Sequence, residues 1–186
     1  MRLWDLPADA ARASVLLGPL LGGSLALGLA IRYGWWVALD RPVQQRWFGR
    51  NKTWRGLAVV SIGTAISQWL LDLPGSPAAM MSLGHGFALG AAAMLAELPN
   101  RFAKRRLGIG EGKTKGGIAG RVFRVIDQLD LLAGGWLVLG LEGKATAGRV
   151  FGSAAVVLVA HPVVTPIGTR LGLRRVEMAA AGRIGE

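Results

Sequence analysis

Four stretches without a single Asp, Glu, Lys or Arg, residues 13–31, 56–71, 73–96 and 150–169, constrain this chain more than any other feature. A helix needs about 20 mostly apolar residues to cross a hydrocarbon core, and most of these runs approach or exceed that length. The 28 glycines suit helices whose backbones must approach closely in a solvent that does not push them together. The expected class is all-α: a polytopic membrane protein with about five transmembrane helices, at roughly 12–32, 55–72, 77–98, 122–141 and 149–169. Pro162 and Pro166 are expected to break the last of these. The turn "LDLPGSPAA", with Pro74, Gly75 and Pro77, separates the second and third. The first run begins too late, is too long and lacks an A-x-A-like site before Tyr33, so it reads as a retained span and not a signal peptide. No internal repeat and no separate soluble domain is evident, which leaves one domain over 1–186.

Net charge +11 on a soluble chain would suggest a nucleic-acid partner, but its distribution argues otherwise. Lys and Arg number six between residues 32 and 55, eight between 97 and 128 and four from 170 onward, against four elsewhere. These eighteen and four alternate along the chain as the positive-inside rule requires. The loops at about 33–55 and 99–121 and the C-terminus are expected in the cytoplasm, with the N-terminus outside. The expected location is the cytoplasmic membrane, with membrane lipids as neighbours and no nucleic acid. Absence of cysteine excludes disulfides, thiolate nucleophiles and Cys-bound zinc.

Within "RVIDQLDLLAGGWLVLGL", Asp127 and Asp130 lie three apart and share a helix face. Acids at the threshold of an apolar span need a partner. Glu97 ends the third expected span on the same side. Hard oxygen ligands grouped so are what Mg²⁺ uses together with substrate phosphates; the bland reading pairs them with nearby arginines. Arg50, Lys52 and Arg55 precede the second span, and Arg101, Lys104, Arg105 and Arg106 follow the third. Each alone is topological, but cations beside acids at one face suit the charge that builds during phosphoryl or nucleotidyl transfer.

Other motifs carry less. "GEGKTKGG" imitates the end of a P-loop, yet Leu107 stands where the first glycine belongs and no strand precedes it. It is rejected as a Walker A loop and kept as a glycine-rich cap over a phosphate. His85 reads as a mid-membrane histidine bonded to a neighbouring helix, and His161 likewise. Ser61, Ser67, Ser82 and Ser153 lack an evident base–acid relay. Trp35 and Trp36 read as interfacial anchors.

"NKTWRG" at 51–56, a carboxylate five positions before "F-x-KRRLGI" at 102–109, and "DQLD" at 127–130 together resemble the CDP-archaeol synthase family, relatives of the CDP-diacylglycerol synthases. The similarity runs from about 40 to 175, through "HPVVTPIGTRLGLRR". It implies a five-helix membrane cytidylyltransferase, a transferase of phospholipid biosynthesis that moves CMP from CTP to a lipid phosphate with Mg²⁺ at the cytoplasmic face. Matched residue by residue, it implies Lys52, Arg55, Lys104 and Arg105 as catalytic cations, Asn51, Thr53, Trp54 and Gln128 as substrate-binding, and Asp127, Asp130 and Glu97 as metal ligands. Two positions depart from the pattern: Ala96-Glu97 stands for Gly-Asp, and Arg101 for a serine. A CDP-alcohol phosphatidyltransferase is disfavoured, because no "DG-x-x-AR" run occurs. The remaining alternative is a non-catalytic membrane scaffold or small transporter. The acceptor lipid and the oligomeric state stay open.

Overall fold

The computed structural model describes residues 6–72, 79–108 and 117–170, with backbone alone for 6–16, 79–81, 117–121, 124 and 160–169. The chain is all-α. Its described elements are α1 (Leu6–Arg32), a 3-10 turn (Val37–Leu39), the single turn α2 (Gln45–Phe48), α3 (Trp54–Leu71), α4 (Ala79–Arg106), α5 (Gly117–Leu141) and α6 (Ala147–Arg170). The expected turn at 73–78, the "GEGKTKGG" segment over 109–116 and the basic end beyond 170 lie outside the described residues.

The five long helices pack as a closed ring, α1 on α3, α3 on α4, α4 on α5, α5 on α6 and α6 back on α1. Glycines set the closest approaches. A Cβ on Gly23 of α1 would stand 2.8 Å from the Val60 carbonyl oxygen of α3, and one on Gly90 of α4 would stand 2.8 Å from Ser61 Cα. One on Gly134 of α5 would run into the backbone of Ala92. Real side chains do not tolerate such distances, so these glycines allow backbone-to-backbone contact along α3 and α4. Leu20, Leu89, Ala93, Leu132 and Leu139 fill the centre, with Leu89, Ala93 and Leu132 fully buried.

Polarity is distributed inside out. Buried positions include Arg55, Ser61, Thr64, Gln68, Ser82, Asn100, Lys104, Asp130 and Ser153. Leu21, Leu25 and Leu29 on α1, Ile62, Ile66 and Leu70 on α3, Phe87 and Leu95 on α4, and Phe151 and Val159 on α6 stand exposed. The four-residue spacing in α1 and α3 makes each outer face a continuous apolar stripe. Among the described residues no helix is long and apolar enough to cross a membrane. In α3 the reason is plain, since Arg55, Ser61, Thr64, Ser67 and Gln68 interrupt eighteen residues.

Three expected boundaries shift. Helix α4 does not stop at residue 98; it continues through Pro99 to Arg106, which turns "RFAKRR" from loop into helix. Helix α5 begins at Gly117, ahead of Val122. Helix α6 runs through Pro162 and Pro166 to Arg170. A proline in a helix gives up one backbone hydrogen bond and crowds one carbonyl, and in α4 and α6 that local loss does not end the element.

Candidate functional site

The segment between α1 and α3 is pinned at both ends. Val43 N–H donates to the Lys52 carbonyl at 2.8 Å and Trp54 N–H to the Arg41 carbonyl at 3.0 Å, an antiparallel contact that closes the segment on itself. Thr53 caps α3: its hydroxyl accepts from Gly56 N–H at 3.2 Å, satisfying one of the free donors at the helix start. Arg55, only 3% exposed, donates from Nη2 to Asp40 at 3.0 Å. The pair clips the end of the 3-10 turn to the first turn of α3. Lys52 is thereby aimed at α4, where it meets Glu97 in an ion pair with both side chains 12% exposed. Burial, and then Arg101 beside it, pull Lys52 down to about 8, while Asp130 and Asp127 pull it upward.

Because α4 extends past Pro99, Glu97, Asn100, Arg101 and Lys104 fall at positions i, i+3, i+4 and i+7 and form one stripe. The stripe faces the middle of α5. Asn100 Nδ2 donates to Asp127 Oδ1 at 2.7 Å and to Asp130 Oδ2 at 2.9 Å. One nitrogen serves both acids with its two hydrogens, so these two oxygens lie no farther apart than the sum of those bonds. Lys104 Nζ reaches both oxygens of Asp127 at 2.5 Å and sits 5.5 Å from the centre of the Phe123 ring. The shared face expected for Asp127 and Asp130 is present.

Two cavities meet at this cluster. The first, of about 480 Å³, is lined by Asp40, Asn51, Lys52, Thr53 and Arg55 opposite Ser24, Leu27, Gly28 and Ile31 of α1. The second, of about 360 Å³, is lined by Asp127, Gln128 and Asp130 and continues onto Leu17, Leu20 and Leu21 of α1, Leu132 of α5 and Val157 of α6. Ser24, Lys52, Glu97, Arg101 and Leu131 border both. Both chambers thus join the shared charged wall to apolar side chains, the first including Val60 and Met94 beside its polar groups and the second the leucines of α1.

Of the residues singled out from the sequence, Asn51, Lys52, Thr53, Arg55, Glu97, Gln128, Asp127 and Asp130 line one or both chambers. Lys104 joins through Asp127. Trp54 is half exposed, and neither it nor Arg105 borders these two cavities. Asp40, Asn100 and Arg101 were not among the expected site residues. The sequence marks Arg101 only as a cation following the third span and as standing for a serine; ending that span at residue 98 hides its place, and that of Asn100, on the Glu97 stripe. Nothing local marks Asp40, fifteen residues before Arg55.

Glu97 stands against Lys52, and among the described residues no group of three or more acidic or histidine side chains is arranged to hold a metal ion. Two neighbouring carboxylates, with phosphate and water completing the shell, are a donor set that a hard cation takes; here Asn100 Nδ2 bridges Asp127 and Asp130, and Lys104 holds Asp127.

The opposite end of the bundle carries a separate network. His85 Nδ1 lies 2.5 Å from Glu142, and Ser82 and Gln68 donate to Asp72 at 2.5 and 2.9 Å. His85 therefore sits near the start of α4 and not at its middle, and its partner Glu142 closes the last turn of α5, where its N–H donates to the Val138 carbonyl at 3.1 Å. Comparisons with family models, with curated proteins and with solved structures find no match to this chain.

Proposed function

We propose that this chain is a membrane-bound, CTP-dependent cytidylyltransferase that converts a lipid phosphate into a CDP-activated lipid and releases pyrophosphate. The observation that carries the reading is the charged wall shared by two adjoining chambers, each of which continues onto apolar side chains. A nucleotide and an amphiphile with an anionic head need that combination. The sequence motifs at 51–56, 97–109 and 127–130 add the resemblance to CDP-archaeol synthases.

A phosphate oxygen of the lipid attacks the α-phosphorus of CTP. A new phosphorus–oxygen bond forms, the α–β bridge breaks, and its electrons leave with pyrophosphate. The attacking oxygen is already anionic near neutrality, so no strong general base is required. The difficulty is repulsion between two anions, and cations at the shared wall lower it. Lys52 lies where both phosphates meet, and Arg55 and Thr53 line the nucleotide side. Asn100 and Lys104 hold Asp127 and Asp130 in register. Asp127 and Asp130 are the residues that would hold Mg²⁺, and it would supply charge neutralisation at the transferred group.

The membrane location rests on the outward apolar stripes of α1, α3, α4 and α6, the buried polar groups and the glycine contacts between helices. Exposed Tyr33, Trp35, Trp36, Trp47 and Trp54 gather at the end of the bundle that holds the cluster, where a headgroup layer would receive them. The charge bias makes that end cytoplasmic. The charge-free runs 13–31 and 150–169 continue through residues described by backbone alone.

The test incubates purified full-length protein with CTP, Mg²⁺ and a panel of lipid phosphates, and measures pyrophosphate together with CDP-lipid by mass spectrometry. Release that needs both the lipid phosphate and Mg²⁺ is expected. Folded protein that stays inactive across diacyl, diether and polyprenyl phosphates would sink the reading.

A further inference from the structure

Nearly every cation around the two chambers is already matched to an acid: Lys52 to Glu97, Arg55 to Asp40, Lys104 to Asp127. Arg101 differs. It projects from α4 into the wall shared by both cavities, and among the described residues its buried Nε finds no hydrogen-bond acceptor. The neighbouring acids are committed elsewhere, Glu97 to Lys52 and Asp127 and Asp130 to Asn100. Its charge is felt at Lys52, which it helps to pull down. Arg101 is half-buried and its charge reaches Asp130, but a buried Nε without an acceptor beside another cation is costly unless an anion completes it.

The identity of that anion follows from the second chamber. Arg101 shares it with Leu17, Leu20 and Leu21 of α1, and with Val157 of α6, so one contiguous surface offers a planar donor fork at one end and hydrocarbon at the other. Guanidinium matches a phosphate monoester through paired parallel hydrogen bonds. We propose that Arg101 is the receptor for the phosphate headgroup of the amphiphilic substrate, holding it at the wall between the chambers while its chain lies along α1 and α6. Arg101 thus sets the preference for a phosphorylated lipid over its neutral alcohol. It rests on the transferase reading only for calling that lipid a substrate.

Binding tests this without turnover. The full chain, purified in neutral detergent without CTP or metal, is titrated with phosphatidate, a diphytanyl ether glycerophosphate and polyprenyl phosphate. Each is compared with its neutral alcohol, and bound lipid is counted by native mass spectrometry. Wild type should favour at least one phosphorylated lipid over its alcohol by about ten- to a hundredfold, the range of a charge-assisted hydrogen-bond pair. Arg101→Gln should erase the preference while still binding the alcohol, which shows that it is folded. Arg101→Lys should keep part of it, and Arg106→Gln, at an exposed cation on the same helix, should leave it whole. An Arg101→Gln protein that keeps the full preference, or a wild type with none, overturns the proposal. Displacement by inorganic phosphate at the same concentration as lipid also overturns it, since the hydrocarbon flank would then contribute nothing. Wild type that binds lipid phosphate through Arg101 yet never consumes CTP would sink the transferase reading and leave Arg101 as a lipid-phosphate receptor.

Discussion

Lys52, from the loop before α3, and Glu97, from α4, meet as an ion pair in the wall common to both cavities. A lysine there has conflicting demands. Burial and Arg101 favour its neutral form, whereas its proposed task with phosphate requires the charge.

With Lys52 lowered from 10.5 to about 8, kcat/KM for CTP should fall on the alkaline side with a midpoint near that value, because this parameter reports the free enzyme. Arg at position 52 should move the limb upward. The stability effect has a definite sign. Between about 8 and 10.5 the unfolded chain holds a proton that the folded chain has released, so stability rises with pH across that window. Below it the cost is fully present. Denaturant unfolding in detergent at pH 7 and pH 10, with Lys52→Met as the comparison, checks both limbs.

Asn100 holds two acids with one nitrogen, at 2.7 and 2.9 Å. Asn100→Leu should cost about 2 kcal/mol of stability, because two carboxylates lose a shared donor. Asn100→Asp should cost more, by adding a third negative charge. Mg²⁺ should raise the melting temperature of Asn100→Asp more than that of wild type. Equal shifts in thermal scans would count against a cation at Asp127 and Asp130.

Asp127→Asn leaves Lys104 without its acid, and Asp130→Asn removes the other oxygen donor. In a transferase each should lower Mg²⁺-dependent pyrophosphate release at least about a hundredfold. A scaffold or transporter would tolerate both substitutions once folding is verified.

Arg55 and Asp40 form the clip that seats the 33–53 segment. Asp40→Ala strands a guanidinium that is only 3% exposed and should destabilise by about 3 kcal/mol. Faster tryptic cleavage at Arg46 and Arg50 would report release of the segment. The double variant Asp40→Ala, Arg55→Met should recover most of the stability and none of the activity.

Gly134 lets α5 lie against the backbone of α4 beside Ala92. Gly134→Ala should cost more than about 2 kcal/mol, since a rigid backbone must give way. It should also lower activity, because the same approach sets the reach of Asn100 to Asp130 one helical turn away. Unchanged stability would mean that the helices separate freely.

How far the sequence carried is clear at particular residues. The helical identity of the five apolar stretches was legible because a long charge-free run has few other solutions. The common face of Asp127 and Asp130 was legible because three-residue spacing on a helix leaves no other choice. The α4 stripe was not, because Pro99 reads locally as a stop. Only burial against α3 and α5 makes it worthwhile for the helix to pass through. His85 was misplaced for a related reason: α4 runs on to Arg106, which moves the middle of the helix away from residue 85.

Sequence alone therefore determined the element type, the alternation of charged and uncharged segments, and the stock of acids and cations near residues 40–55 and 97–130. Tertiary packing decided the pairing: which lysine faces which carboxylate, that Asn100 joins the two aspartates, that Arg101 stands beside two cavities with its Nε unmatched, and that one cavity meets hydrocarbon. Periodicity is a property of neighbours along one helix. Pairing depends on how closely separate helices approach, and in this bundle that distance is set by glycines such as Gly134, whose own neighbours in sequence do not say which helix it will meet.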